Sequence, residues 1–195
     1  TIQLVKNLMS YEEEFAICVV DNFSNKKNST NIQNELKNIN NVFLLMNEKN
    51  YLYALGNNIG LKYCFEKIRC NIALVLNPDI DILNINFSHL NNINFKNKML
   101  ITGNIIQHQK SHSLHLFNRF ISRSKSISNK VKINNISPIF PAGCCFGMTR
   151  AMWENFGGFY KHRAAYFEEL DFIYRFKAKF SYFPDIHIID SLKVV

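Results

Sequence analysis

Short apolar runs alternate with helix-like stretches along this chain, and that alternation restricts the fold more than any other feature of the sequence. Phe15 to Val20, Val42 to Met46, Ile72 to Leu76, Met99 to Thr102, Cys144 to Met148 and Ile186 to Ile189 are β-branched or apolar and of strand length. Between several of them lie Ile2 to Ser10, Ile32 to Lys37, Asn58 to Cys70 and Arg150 to Phe156, which read as helices. Strand followed by helix predicts an α/β layered fold with a largely parallel sheet. At 195 residues and 47% hydrophobic, the chain is long enough for one sizeable core, so residues 1–195 read as a single domain without linker or internal repeat.

The apolar runs are too short to cross a bilayer and the first residues lack the order of a signal peptide, which gives a cytoplasmic expectation. The five cysteines show no CxxC spacing and mostly fall inside apolar stretches, the pattern of buried reduced thiols. His108, His112 and His115 have no cysteine pair nearby and make no zinc site. A formal charge of +8 favours an anionic partner: nucleic acid, an anionic membrane face or a phosphorylated small molecule. Nucleic acid is excluded by the lack of interleaved aromatic and basic residues on a recognisable motif.

In parallel sheets ligands gather at the carboxyl ends of strands. Here those ends read Asp21-Asn22-Phe23-Ser24, Asn47 to Asn50 and Asn77-Pro78-Asp79, which either hold a polar ligand or form ordinary turns. The stretch Phe156 to Arg175 crowds Glu168, Glu169 and Asp171 together in a basic protein. A helix from Tyr166 onward buries Phe167, Leu170 and Tyr174, groups Glu168 with Asp171 and Arg175, and leaves Glu169 pointing elsewhere in the first turn. The simplest account is that the acids complement the helix dipole and that Asp171 pairs with Arg175. Residues 104–138 carry Lys110, Arg119, Arg123, Lys125, Lys130 and Lys132, with Leu114, Phe117, Phe120 and Ile121 spaced for one amphipathic helix. That helix is either a solvated element or a contact with the acceptor or a membrane surface.

Together these segments resemble the family 2 glycosyltransferases of GT-A fold, in particular their rhamnosyltransferase-like branch. FAICVVDNFS (15–24) resembles that family's second strand and base-binding loop, NYLYALGNNIG (50–60) its donor-side stretch, and ALVLNPDI (73–80) its DxD-type metal loop. Residues 141–150 with Phe156-Gly157-Gly158-Phe159 are similar to the strand, helix and GGF turn before the catalytic helix, and Glu168-Glu169-Leu170-Asp171 stands at the ED-x-D position.

The resemblance implies a three-layer nucleotide-diphospho-sugar transferase fold, with a nucleotide-sugar half (1–103) and an acceptor and catalytic half (104–195). It implies an inverting, metal-dependent transfer from a UDP- or dTDP-sugar to a saccharide or lipid-linked glycan in bacterial surface polysaccharide synthesis, in contact with the cytoplasmic membrane face. Glu169 then serves as base with Asp171 beside it. Asp21, Asn22, Ser24, Asn50, Asn57, Asn58 and Asp79 meet the donor, and Asp79 and Asp190 hold Mg²⁺ or Mn²⁺. Asn77 stands in place of the first Asp of DxD, Glu169 in place of Asp and Asp190 in place of His. These departures point to weaker metal binding and leave a second function class open, a degenerate GT-A domain that binds without catalysis. The resemblance also places a central strand ahead of Ile2, where this sequence opens with the following helix. Upstream residues or another segment are expected to supply it, and a gapped sheet would count against the fold.

Overall fold

The computed structural model describes the chain except for residues 12–14, 87–89, 91–93, 95–96, 108–109, 113, 119–122, 128–137 and 162–166, together with some side chains between 107 and 127 and that of Asp190. The first half runs α1 (Ile2–Leu8), β1 (Ile17–Asp21), α2 (Lys26–Leu36), β2 (Val42–Met46), α3 (Leu52–Tyr63), a π-helical turn (Cys64–Ile68), β3 (Ile72–Leu76) and β4 (Ile82–Asn84). The second runs β5 (Met99–Gln107), β6 (Lys110–His112), β7 (Leu114–Asn118), β8 (Arg123–Ile127), β9 (Ile139–Pro141), β10 (Cys145–Thr149), α4 (Arg150–Phe156), α5 (Glu168–Phe180) and β11 (Asp185–Val194). All six expected strands and all four expected helices are present, although α2 and α3 begin six residues before the expected Ile32 and Asn58.

The main sheet has the order β3-β10-β5-β11-β4, with β6 on β5. It is mixed, which corrects the expectation of a largely parallel sheet. β10 runs antiparallel to both β3 and β5, while β5 and β11 are parallel. The reason is the return of the chain through β10, a reversed strand between two that share a direction. All five β10 residues are buried, because α4 and α5 pack on one face while Leu8 of α1 and Ile80, Ile82 and Ile85 pack with the other. Side chains alternate accordingly. Leu100, Phe146 and Met148 pack with Phe172, Ile173 and Phe176 of α5, whereas Ile101 and Cys145 pack with Leu8, Ile189 and Leu192.

β1 and β2 form a separate parallel pair, and among the described residues nothing joins β1 to β3. The two strands nevertheless run the same way. α3 returns along β1, with Gly56 against Asn22 and Gly60 close enough to Val20 that a Cβ would stand 2.9 Å from its methyl. The chain then enters β3 beside the amino end of β1. Between the strands lies a cavity of about 920 Å³, lined by both along their lengths, by Leu4 and Leu8 of α1, and by Gly60 and Leu61 of α3. The sheet is therefore gapped where a central strand was expected, and what stands is an α/β architecture with a mixed sheet rather than an intact GT-A sheet.

Residues 104–138 correct a second expectation. Leu114 and Phe117 lie in β7, which pairs antiparallel with β8 on one side and β9 on the other, so the described part of this segment is sheet rather than helix. Pairing with β9, more than twenty residues further on, overrides the local helical spacing. Arg119, Phe120, Ile121, Lys130 and Lys132 lie outside the described residues. All five thiols are free, but only Cys145 is fully buried. Cys18, Cys64 and Cys70 form a hydrogen-bonded chain beside the cavity; the bond from Cys64 lowers the Cys18 pKa, and Cys64 is pushed up to about 12. Among the described residues no helix is long and apolar enough to cross a membrane.

Candidate functional site

α5 begins at Glu168, two residues later than expected, and this shift sets which side chains face inward. Phe167 and Tyr174 are 42% and 39% exposed rather than buried, and the inward face is Leu170, Phe172, Ile173 and Phe176. Glu168 and Glu169 are buried with it, at 5% and 7% exposure. Phe167 precedes them in left-handed backbone (φ 65°) and supplies no side-chain cap, so the first-turn acids sit at the positive end of the helix without a competing capping group.

Glu169 is the most perturbed carboxylate of the site. Burial raises its pKa from 4.5 to about 7, and the neighbouring charge of Glu168 adds to the rise; its own backbone N–H and the Tyr53 hydroxyl oppose it. Its carboxylate packs against Gly143, where a Cβ would overlap Oε1 and also approach the Tyr53 hydroxyl. Gly143 is therefore needed for space. The Tyr53 hydroxyl donates to the Gly143 carbonyl (2.7 Å), which ties the first turn of α3 to the turn between β9 and β10.

The Asp79 loop meets that same turn. The Asn77 N–H donates to the Cys144 carbonyl (3.1 Å), anchoring the end of β3. Burial raises the pKa of the Cys144 thiol, and the charges of Asp79 and Glu169 both add to that rise. The Gly143–Cys144 turn thus meets the loop that carries Asp79 through Asn77 and the Glu169 carboxylate through Gly143.

The other predicted residues hold local structure or line the cavity. Asp21 accepts from the Ser24 N–H (2.9 Å) and the Ser29 hydroxyl (2.7 Å); burial works to raise its pKa, and these bonds outweigh it and bring it down. Asn22 donates to the Asn50 side chain and the Leu52 carbonyl and accepts from Asn47 and the Tyr51 N–H, while Asn50 also caps the Leu52 N–H (2.8 Å). This network builds the amino end of α3. Asn57 lines the cavity between β1 and β3. Asn58 clasps the backbone of Phe159, accepting from its N–H and donating to its carbonyl (2.8 Å each).

Asp171 bonds Arg175 (2.8 Å), the i+4 pair read from the sequence, and Arg175 also donates to the Gly158 carbonyl (3.1 Å) across Phe156. Asp190 lies in β11, with its side chain outside those described. Among the described residues no three His, Cys, Asp or Glu groups converge on a metal position. One exposed aspartate at a strand end suits a hard ion that takes most of its ligands from phosphate and water, not a resident ion in a protein cage. Tyr53, Gly143 and Cys144 were not singled out from the sequence, because their roles arise from contacts between residues far apart in the chain, Tyr53 with Gly143, Cys144 with Asn77 and Gly143 with Glu169.

No family model matches the chain. Over 152 residues it is 24% identical to "Low-salt glycan biosynthesis hexosyltransferase Agl10" of Haloferax volcanii, a match covering 73% of this chain and 48% of that protein. The chain thus spans about half the length of this curated relative. Among solved structures, the crystal structure of A197 from STIV matches with a TM-score of 0.48 at 14% identity, over 80% of this chain and 72% of that one, a likeness on which no argument rests.

Proposed function

We propose that this chain carries the centre of an inverting glycosyltransferase, with a nucleotide-diphosphate sugar as donor and a saccharide or lipid-linked glycan as acceptor. The observation that carries the reading is Glu169: a buried carboxylate whose pKa is pushed up to about 7, held at the amino end of α5 against the turn that also anchors the Asp79 loop. The similarity to a hexosyltransferase supports sugar transfer in general. In a single displacement the acceptor oxygen attacks the anomeric carbon, the bond to the diphosphate breaks, and configuration inverts. Glu169 takes the acceptor's proton, a role worth roughly 10² to 10⁴ in rate. Asp79 would hold a Mg²⁺ or Mn²⁺ ion, which would supply positive charge against the departing diphosphate. The Asn22 network and the Asp21 loop shape the wall on which the nucleotide rests.

The test is hydrolysis or transfer of UDP- and dTDP-sugars with Mn²⁺ present. Glu169→Gln and Asp79→Ala are each expected to reduce turnover at least a hundredfold. Turnover that survives both substitutions refutes the reading.

A further inference from the structure

Tyr53 stands at the joint between α3 and α5 with more hydrogen-bonding work than one phenol proton can do. Its ring lies edge-on to Phe159, with 5.8 Å between centroids. Its hydroxyl donates to the Gly143 carbonyl at 2.7 Å, and it borders the same space above Gly143 as the Glu169 Oε1, close enough to hold the Glu169 pKa down. A tyrosine hydroxyl has one proton to donate and lone pairs to accept with. It cannot donate to both partners at once.

We propose that Tyr53 is the positioning residue of Glu169, its hydroxyl proton turning toward the Glu169 carboxylate when that group is ionised and back to the Gly143 carbonyl when Glu169 is protonated. The role rests on Glu169 acting as the base. With Glu169 ionised, the Tyr53 O–H donates to the carboxylate and orients one oxygen, which leaves the other for the acceptor hydroxyl. Once the acceptor's proton is on that second oxygen, the oxygen beside Tyr53 is left as a neutral carbonyl and a weaker acceptor, and the Tyr53 proton returns to the Gly143 carbonyl. Every proton is accounted for, and the covalent O–H bond of Tyr53 never breaks. Tyr53 is itself excluded as the base, because burial and the charges of Glu169 and Glu168 push its pKa far above the ordinary phenol value.

The surroundings leave Tyr53 as the adjustable partner. Glu168, on the same helix, faces Glu169 as a second negative charge, and Cys144, on the adjoining turn, is kept protonated by burial. β9, which packs on α5, brings Ile139, Phe140 and Pro141, none of which titrates. Gly143 brings no side chain and no titratable group.

The experiment follows the Glu169 carboxyl by carbon NMR in glutamate-labelled protein, with Glu169→Gln to assign the signal and Tyr53→Phe to remove the hydroxyl alone. The wild-type midpoint is expected near 7. In Tyr53→Phe it rises by about one pH unit, a tenfold weaker acid, because the ionised form loses its donor. The acid limb of the turnover profile moves upward with it. An unmoved carboxyl midpoint in folded Tyr53→Phe overturns the positioning role and leaves Glu169 as base untouched. A midpoint that moves while the acid limb stays fixed instead refutes Glu169 as base, and the positioning role falls with it. Should Tyr53→Phe not fold, 3-fluorotyrosine at position 53 is nearly isosteric and a stronger donor. The midpoint must then fall, and a midpoint that does not fall overturns the proposal.

Discussion

Replacing Glu169 with glutamine is expected to stabilise the protein at alkaline pH and to do little at acid pH. The folded-state pKa is raised, from 4.5 to about 7, so between those values the native state binds more protons than the unfolded chain. Stability therefore falls as pH rises through that window, and the penalty is complete above pH 7. At about 1.4 kcal/mol for each pH unit, holding an ionised Glu169 costs about 3 kcal/mol at pH 8.5. The side chain is only 7% exposed, so solvent screening removes little of this. Glutamine keeps the shape and the acceptor oxygen and carries no charge. Urea denaturation of both proteins at pH 4 and pH 8.5 supplies the measurement, and the change in their stability difference between the two pH values isolates the charge from any packing defect. An increase of about 3 kcal/mol in favour of Glu169→Gln at the higher pH is expected. A difference that does not vary with pH would mean that Glu169 ionises freely, and the reasoning from burial would fail.

Two further expectations follow from the packing. Asn58→Ala removes both bonds to the Phe159 backbone and is expected to destabilise the protein by about 1 to 3 kcal/mol, measured as a lower urea midpoint at unchanged slope; an unchanged midpoint would show that the clasp is replaceable by water. Amide exchange tests the split sheet. Amides of β1 and β3 that face the cavity are expected to exchange much faster than the β3 and β10 amides bonded to one another, and equal protection would show that the edges are covered.

The strands were legible because burial on both faces demands continuous apolar runs, and β10, buried at all five positions, is the clearest instance. The start of α2 was missed because its apolar stripe begins only at Ile32. Asn25, whose side chain accepts from the Asn28 N–H, was the available signal. α3 was harder. Its N-cap Tyr51 makes no side-chain cap, and the capping oxygen comes from Asn50, a residue whose polarity read equally well as ligand binding. The hairpin of β7 and β8 was hidden for another reason. Leu114 and Phe117 suit a helix locally, and only β9 decides otherwise. In the site, Glu169 and Asp171 stood out as charge crowding, whereas Tyr53 and Gly143 carry no local pattern at all.

Backbone strain separates the site from the rest of the chain. Asn41 lies immediately before β2, Arg69 caps the π turn and Ser181 caps α5, and their left-handed backbones fall where chains ordinarily change direction. Phe23, Leu52 and Phe167 also stand at element boundaries, but they are large residues, each 42% exposed or more, and each costs about 1 to 3 kcal/mol to hold there. Phe23 follows Asn22, whose amide bonds the Leu52 carbonyl. Leu52 precedes Tyr53, which reaches Gly143 and Glu169, and Phe167 opens the helix that carries Glu169. The three strained positions thus lie on the loops and helix starts that present Asn22, Tyr53 and Glu169. Strain gathered there is what the proposed role of Glu169 would require, since a base must be held oriented toward its substrate.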